Sequence, residues 1–142
     1  MTRLPMRRQD GVSLLEALLA AVLLAIGLLG TIGLQARAYS ALTEAGMRGE
    51  ATIAAEKLIG VMTSDPTHLA DYELAEGAQP GTRLATWYGE TRTVIPGANI
   101  TVELDEGTAP TPDEVLIRIR WQRKAGDATN THEVRAYIAG AK

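Results

Sequence analysis

Apolar and polar positions are distributed along this chain in three distinct regimes. From Ala17 to Leu34 eighteen residues run with Thr31 as the sole polar member. At about 1.5 Å per residue a helix of that length is roughly 27 Å long, close to the hydrocarbon thickness of a bilayer. The stretch from Gly11 to Gly33, GVSLLEALLAAVLLAIGLLGTIG, therefore predicts a helix in lipid or in an equally apolar setting. After Leu34 the chain becomes polar without a turn signal, and no proline occurs between Pro5 and Pro66. Met47, Ala51, Ala54, Leu58 and Val61 recur at spacings of 4, 3, 4 and 3, which makes one helical stripe, while Arg48, Glu50 and Lys57 lie largely elsewhere. The cluster Thr63-Ser64-Asp65-Pro66 stops the helix, because the residue before a proline is pushed out of the α region. The expectation is one helix from Val12 to about Thr63, roughly 78 Å long. The alternative is two shorter helices broken near Gly46 and Gly49.

The third regime alternates with period two. Ile100, Val102 and Leu104, then Val115, Ile117, Ile119 and Trp121, then Val134, Ala136 and Ile138 define three half-buried strands. Their opposite faces carry Thr101, Glu103 and Asp105, then Arg118, Arg120 and Gln122, then Glu133, Arg135 and Tyr137, as a sheet with one wet face requires. Opposite charges on that face can pair across strands, at about 0.2 to 1 kcal/mol per pair. The connections from Gly107 to Asp113 and from Ala125 to Asn130 are short and turn-rich, which predicts an antiparallel meander. Ahead of it, Pro66 to about Arg83 reads as a connecting loop with a short helix over Leu69 to Ala75 and a turn at Pro80-Gly81. Arg92 to Ile95 reads as a further strand before the Pro96-Gly97 turn. The apolar sheet face should cover the Met47 to Val61 stripe, giving an α+β fold: a long N-terminal helix, transmembrane then amphipathic, on a small C-terminal antiparallel sheet.

Composition narrows the function. The chain has 142 residues, 46% of them hydrophobic, but two Trp, four Tyr and no Phe leave few large side chains for the tail's core. There is no cysteine, so disulfides and thiolate metal sites are excluded and the redox compartment is not readable. The net charge is −3, and without residues 1 to 11 it would be −5, which argues against nucleic-acid binding by the exposed part.

Arg3, Arg7 and Arg8 precede the apolar run, and the positive-inside rule holds them on the cytoplasmic side with the tail outside. A conventional signal peptide cut after Ala36-Arg37-Ala38, or a plain single-pass anchor, would explain these features. Neither explains Glu16, because an intramembrane carboxylate costs up to about 2.5 to 3.5 kcal/mol at a helix centre, and somewhat less near an end. The best partner for it is a cation at similar depth. A cut between Gly11 and Val12 would create one, a new α-amine four residues before Glu16.

Gly11-Val12-Ser13-Leu14-Leu15-Glu16, behind a basic leader and ahead of an apolar helix, resembles the type III signal of type IV pilins and pseudopilins. The longer run through Ala20, with Ile26-Gly27-Leu28-Leu29-Gly30 and Gly33-Leu34-Gln35, is most similar to the PilV-type minor pilins. That resemblance covers about residues 7 to 37. It implies cleavage by a prepilin peptidase between Gly11 and Val12, N-methylation of Val12, and a Glu16 that neutralises the N-terminal amine of its own or a neighbouring subunit. Val12 stands where the family usually has Phe, and Gly33 about where major pilins commonly have proline. Gly27, Gly30 and Gly33, each about 1 kcal/mol poorer in helix propensity than Ala, could supply a weak point or a close-packing face.

The resemblance implies a leader over residues 1 to 11, a transmembrane and assembly helix over 12 to 34, an amphipathic continuation over 35 to 65, and a periplasmic or extracellular β-sheet domain over 66 to 142. It also implies a single-pass inner-membrane precursor with a cytoplasmic N-terminus, and then a place in a pilus at the cell surface. The partners would be the inner membrane, the peptidase, other major and minor pilins and the pilus assembly machinery, with no small-molecule substrate and no nucleic acid. The roles implied are pilus assembly, adhesion and twitching motility. A type II secretion pseudopilin and, in a different class, a secreted or anchored binding domain are the alternatives.

The tail offers no catalytic set. His68 and His132 lack a metal-ligand spacing and read as surface residues. Asp105, Glu106, Asp113 and Glu114 flank a loop that matches no EF-hand, and read as a solvated acidic turn. Arg118, Arg120, Arg123 and Lys124 read as partners for acidic neighbours rather than a nucleic-acid surface. Neither an enzymatic activity nor a cofactor is expected.

Overall fold

The computed structural model describes residues 10–107 and 112–139. The leader residues Arg3, Arg7 and Arg8 lie outside the described residues. The elements are helix α1 (Asp10–Ser64), a 3-10 segment (Pro66–Tyr72), helix α2 (Thr82–Val94), and strands β1 (Asn99–Asp105), β2 (Asp113–Trp121) and β3 (Asn130–Ile138). This is the expected α+β architecture. The chain divides into two compact units, Met1–Leu42 and Thr43–Lys142, and α1 contributes to both.

Helix α1 continues without interruption through Gly46 and Gly49, so the alternative of two shorter helices does not hold. It stops one residue past the expected end. Thr63 and Ser64 turn their hydroxyls back onto the carbonyls of Ile59, Gly60 and Val61, which occupies acceptors of the last turn. Asp65, ahead of Pro66, then leaves the helical region at φ −132° and ψ 57°.

In the second unit α1 contributes Ala51, Ala54, Ala55, Leu58 and Met62 to the core, with Met47 partly buried beside it. Val61, expected in this stripe, is 39% exposed, whereas Met62 is fully buried. The reason is the helical pitch. A strict 4, 3 alternation repeats every 3.5 residues and drifts by about 20° per heptad from a straight α-helix, so after two heptads the buried face has moved to the next residue.

Helix α2 begins at Thr82, by the expected end of the loop at about Arg83, and corrects the sequence reading over Arg92 to Ile95, where Arg92 to Val94 is helix and not strand. Its β-branched threonines and Gly89 are poor helix formers, and packing overrides them. Leu84, Trp87 and Thr91 fall on one face and are buried, and the Trp87 indole N–H donates to the Ala54 carbonyl of α1 at 2.8 Å. Lys57 of α1 pairs with Glu90 of α2 on the exposed side of the same contact. Arg92 stacks on Tyr88, 5.5 Å from the ring centroid.

The sheet is the expected meander, ordered β1-β2-β3 and antiparallel throughout, with Val102 opposite Ile117 and Ile117 opposite Val134. Leu74 adds an isolated bridge to the outer edge of β1, exchanging two backbone hydrogen bonds with Val102 at 2.9 and 3.0 Å. The inner residues of β2, from Val115 to Trp121, are all at most 2% exposed. The wet face carries the expected ion pairs, Arg118 with Glu103 and Glu133 at 3.1 and 2.9 Å and Arg135 with Glu114 at 3.1 Å. Thr101 departs from its expected exposure: it is buried, a small side chain directly opposite the longer Arg118.

Both tryptophans belong to the second unit and are buried, so their fluorescence reports its unfolding. Met62→Ala should destabilise this unit by about 2 to 5 kcal/mol. Val61→Ala should change it by less than about 1 kcal/mol, as expected for a partly exposed position. Equal losses in urea titrations of the two variants would contradict the observed face of α1.

Candidate functional site

In the first unit the apolar side chains of α1 are exposed, with no apolar cover among the described residues. Leu18, Leu19, Val22, Leu23, Leu24, Ile26, Leu28, Leu29, Ile32 and Leu34 are between 55% and 70% exposed. At 100° per residue these positions are spread around the whole circumference, which is the pattern of a helix surrounded by apolar material on every side. The helix Ser13–Ser64 is the one described helix long and apolar enough to cross a membrane. Thr31, the polar residue inside the span, donates its hydroxyl to the Leu28 carbonyl at 2.8 Å and so needs no water.

The backbone of Gly11 and Val12 lies in the first turn of α1, and Glu16 is exposed. Helical geometry sets the Val12 nitrogen one turn before Glu16, about 6 Å along the axis. If the chain began at Val12, its α-amine and the Glu16 carboxylate would lie at one helix end. The carboxylate would also meet the positive end of the helix dipole, worth about 0.3 to 1 kcal/mol at an exposed site. The backbone of Gly11, Val12 and Glu16 thus belongs to the first turns of α1.

Gly27, Gly30 and Gly33 are all helical, and a Cβ built on any of them meets nothing within 4 Å. Nothing in the described part of this chain requires glycine there. Any packing demand at these positions comes from a neighbouring molecule.

In the second unit the densest polar cluster joins the end of α1, the 3-10 segment and the start of α2. Asp65 accepts from His68 Nδ1 at 2.6 Å, from Arg83 Nη1 at 2.6 Å and from the Tyr72 hydroxyl at 3.2 Å, while Arg83 Nε reaches Asp71 at 2.9 Å. The His68 hydrogen bond, with the Arg83 charge and the Tyr72 hydroxyl behind it, holds the Asp65 carboxyl below its ordinary range against the opposing effect of burial. Burial and then the Asp65 charge push the Tyr72 phenol up. This is a structural clasp: His68 is exposed, as expected, but engaged. A depression of about 400 Å³ beside it is lined by Asp71, Gly81, Thr82 and Arg83.

Two expectations for the tail are corrected. His132 is half-buried on the inner face of β3 opposite Ile119, with a buried Nε2 that has no hydrogen-bond partner. The alternation of β3 puts it on the same side as Val134 and Ala136, a signal present in the sequence. Asp113 is not a solvated turn residue: it is 5% exposed and accepts the Gly107 N–H at 3.0 Å, closing the base of the β1–β2 loop. Among the described residues no group of three or more His, Cys, Asp or Glu side chains is disposed to hold a metal.

Residues 6–32 match the family model of the prokaryotic N-terminal methylation motif. No curated protein and no solved structure matches the chain. The motif covers Gly11, Val12 and Glu16 and all but the last few residues of the apolar span, and it supports a type IV pilin-like, membrane-associated precursor.

The clasp makes a pH prediction. Asp65 ionises at lower pH in the folded than in the unfolded chain, so its stabilisation is fully present above the unfolded value near 3.8 and is lost as pH falls through the folded value. The urea midpoint read from tryptophan fluorescence should therefore drop below about pH 4. Asp65→Asn should have a lower midpoint at pH 7 and a smaller drop on acidification. An unchanged acid slope in this variant would contradict the clasp.

Proposed function

We propose that the chain is the precursor of a minor pilin, nearest to the PilV type, that a prepilin peptidase cuts between Gly11 and Val12 and that is methylated on Val12. The observation that carries this reading is the carboxylate of Glu16, one helical turn after the Val12 nitrogen at the mouth of an otherwise apolar span. The match of residues 6–32 to the methylation motif supports the same reading.

The physical logic has two stages. In the membrane, the precursor sits with its N-terminus cytoplasmic and residues 66 to 142 periplasmic, and Glu16 lies near the end of the span, where a carboxylate is least costly. Removal of the leader frees an amine at the depth of Glu16. An amine and a carboxylate that meet in a low-dielectric bundle, from one subunit or from two, fix the register of packing as well as neutralising each other. The uniformly apolar circumference of α1 suits exchange of lipid for the helices of other pilins. Gly27, Gly30 and Gly33 permit close approach or local unwinding there. The subunit is structural and is itself a peptidase substrate. It catalyses nothing and takes no cofactor, and it contributes to pilus initiation and assembly together with the assembly machinery.

Glu16→Ala should insert into the membrane and be cut at the same site, yet its share of sheared surface filaments should fall at least about tenfold, the factor that corresponds to 1.4 kcal/mol. Glu16→Asp should recover part of it. Incorporation of Glu16→Ala at the parental level, measured by immunoblot of the filament fraction, would remove the ion pair from the account.

A further inference from the structure

Beside the turn from β2 into β3 lies a cleft of about 510 Å³, walled by Glu76, Asn99, Arg120, Trp121, Arg123 and Lys124. Sites for small molecules run from about 300 to 1,000 Å³. The charges on this wall do not cancel. Arg120 pairs with Glu76 and Arg123 with Asp127, whereas Lys124 is exposed and has no ion pair among the described residues, so one cation is left over. Two polar atoms of the same wall are also unanswered: Trp121 Nε1 and Asn99 Oδ1 are both buried, and neither has a hydrogen-bond partner among the described residues. The Asn99 amide nitrogen donates to the Glu76 carboxylate at 3.2 Å, and a carboxylate only accepts, so the orphan is the oxygen. Trp121 is 2% exposed and its N–H can only donate. The indole of Trp87, by contrast, does find an acceptor in the Ala54 carbonyl. Buried polar groups are nearly always paired, and a donor and an acceptor left open on one wall, next to a spare cation, ask for a partner that carries all three complements.

We propose that this cleft binds a small hydroxylated monocarboxylate of the size of a sugar acid. The carboxylate answers the Lys124 ammonium, a ligand oxygen accepts from the Trp121 indole N–H, and a ligand hydroxyl donates to Asn99 Oδ1. A neutral sugar lacks the charge, and a plain carboxylate lacks the hydroxyl that Asn99 needs. The indole N–H is covered, so a side chain must give way for a ligand to reach it. Arg123 is placed to do so: it stands beside Trp121 on the wall, is exposed, and its pair with Asp127, at 3.3 Å, is the longest of the ion pairs among the described residues. An exposed pair of this kind is weakly held. The site goes beyond the proposed filament role, because it involves neither Val12, Glu16 nor the apolar span.

The chain has two tryptophans, which makes the test direct. The full-length protein in detergent micelles, labelled with nitrogen-15 at its indoles, gives one N–H signal from Trp87 and one from Trp121, and Trp121→Phe assigns them. Sodium D-glucuronate is the probe, with D-glucose, sodium acetate and sodium chloride at matched concentrations beside it. The expected result is a saturable shift of the Trp121 signal, with a dissociation constant of about a millimolar, while the Trp87 signal stays in place. Glucose and acetate should each bind at least about tenfold more weakly, and chloride should give no saturable shift. Lys124→Gln should weaken glucuronate about tenfold and Lys124→Arg should restore most of the loss. Lys124 is exposed, so both variants should keep the two indole signals at their ligand-free positions. A Trp121 signal indifferent to glucuronate, an equal response to acetate, glucose or chloride, an equal shift of Trp87, or parental affinity in Lys124→Gln would each overturn the proposal. Failure of the filament reading would leave this result untouched, since no processing or pilus is required.

Discussion

The first unit is governed by the need to keep Ala17 to Leu34 out of water. The span has apolar side chains around its whole circumference and no cover for them among the described residues, and its internal hydroxyl, Thr31, is already bonded to the helix backbone. Such a helix is stable in lipid and equally stable among other helices of its kind, because the hydrophobic effect does not distinguish between the two. What distinguishes them is Glu16. A carboxylate gains little from lipid and much from a nearby amine, so under the proposed processing a single charged residue would bias the helix towards a place where an amine is supplied.

The remainder of α1 obeys a different rule. From Met47 onward the buried apolar residues keep to one face, while Ile53 is exposed, and Ala51, Ala54 and Ala55 keep that face small enough for close approach to the rest of the second unit. A chain of this size with no Phe obtains its core volume from β2, whose Val115, Ile117, Ile119 and Trp121 are all inward, and from Trp87 of α2. The hydrogen bond from Trp87 to the Ala54 carbonyl and the clasp at Asp65 fix α2 at two places along α1. Fixed in this way, the sheet keeps its charged residues at defined positions.

Legibility in the sequence tracked the strength of the periodic signal. The span, the long helix and the three strands were readable because eighteen apolar residues, a helical stripe and strict alternation each point to one answer. Helix α2 was not readable: its buried face is Leu84, Trp87 and Thr91, too sparse and too rich in β-branched neighbours to stand out, and it exists because α1 offers it a surface. Val61 gave way to Met62 because a 3.5-residue rule was applied to a 3.6-residue helix. Residue type alone places Asp113 and His132 in solvent, whereas loop closure buries Asp113 and strand parity half-buries His132. The Gly11, Val12 and Glu16 pattern is carried by spacing along a helix and not by tertiary contacts, so the fold adds to it only that these residues lie in the first turns of α1. Its recognition as a methylation motif is independent of the fold.

The central claim is that the mature protein begins at Val12. Intact-mass and N-terminal peptide analysis of the protein recovered from membranes and from surface filaments tests it most directly. The account predicts a chain that starts at Val12 and carries one added methyl group on its α-amine. A chain that starts at Tyr39, or one that retains Met1 through Gly11, would contradict it.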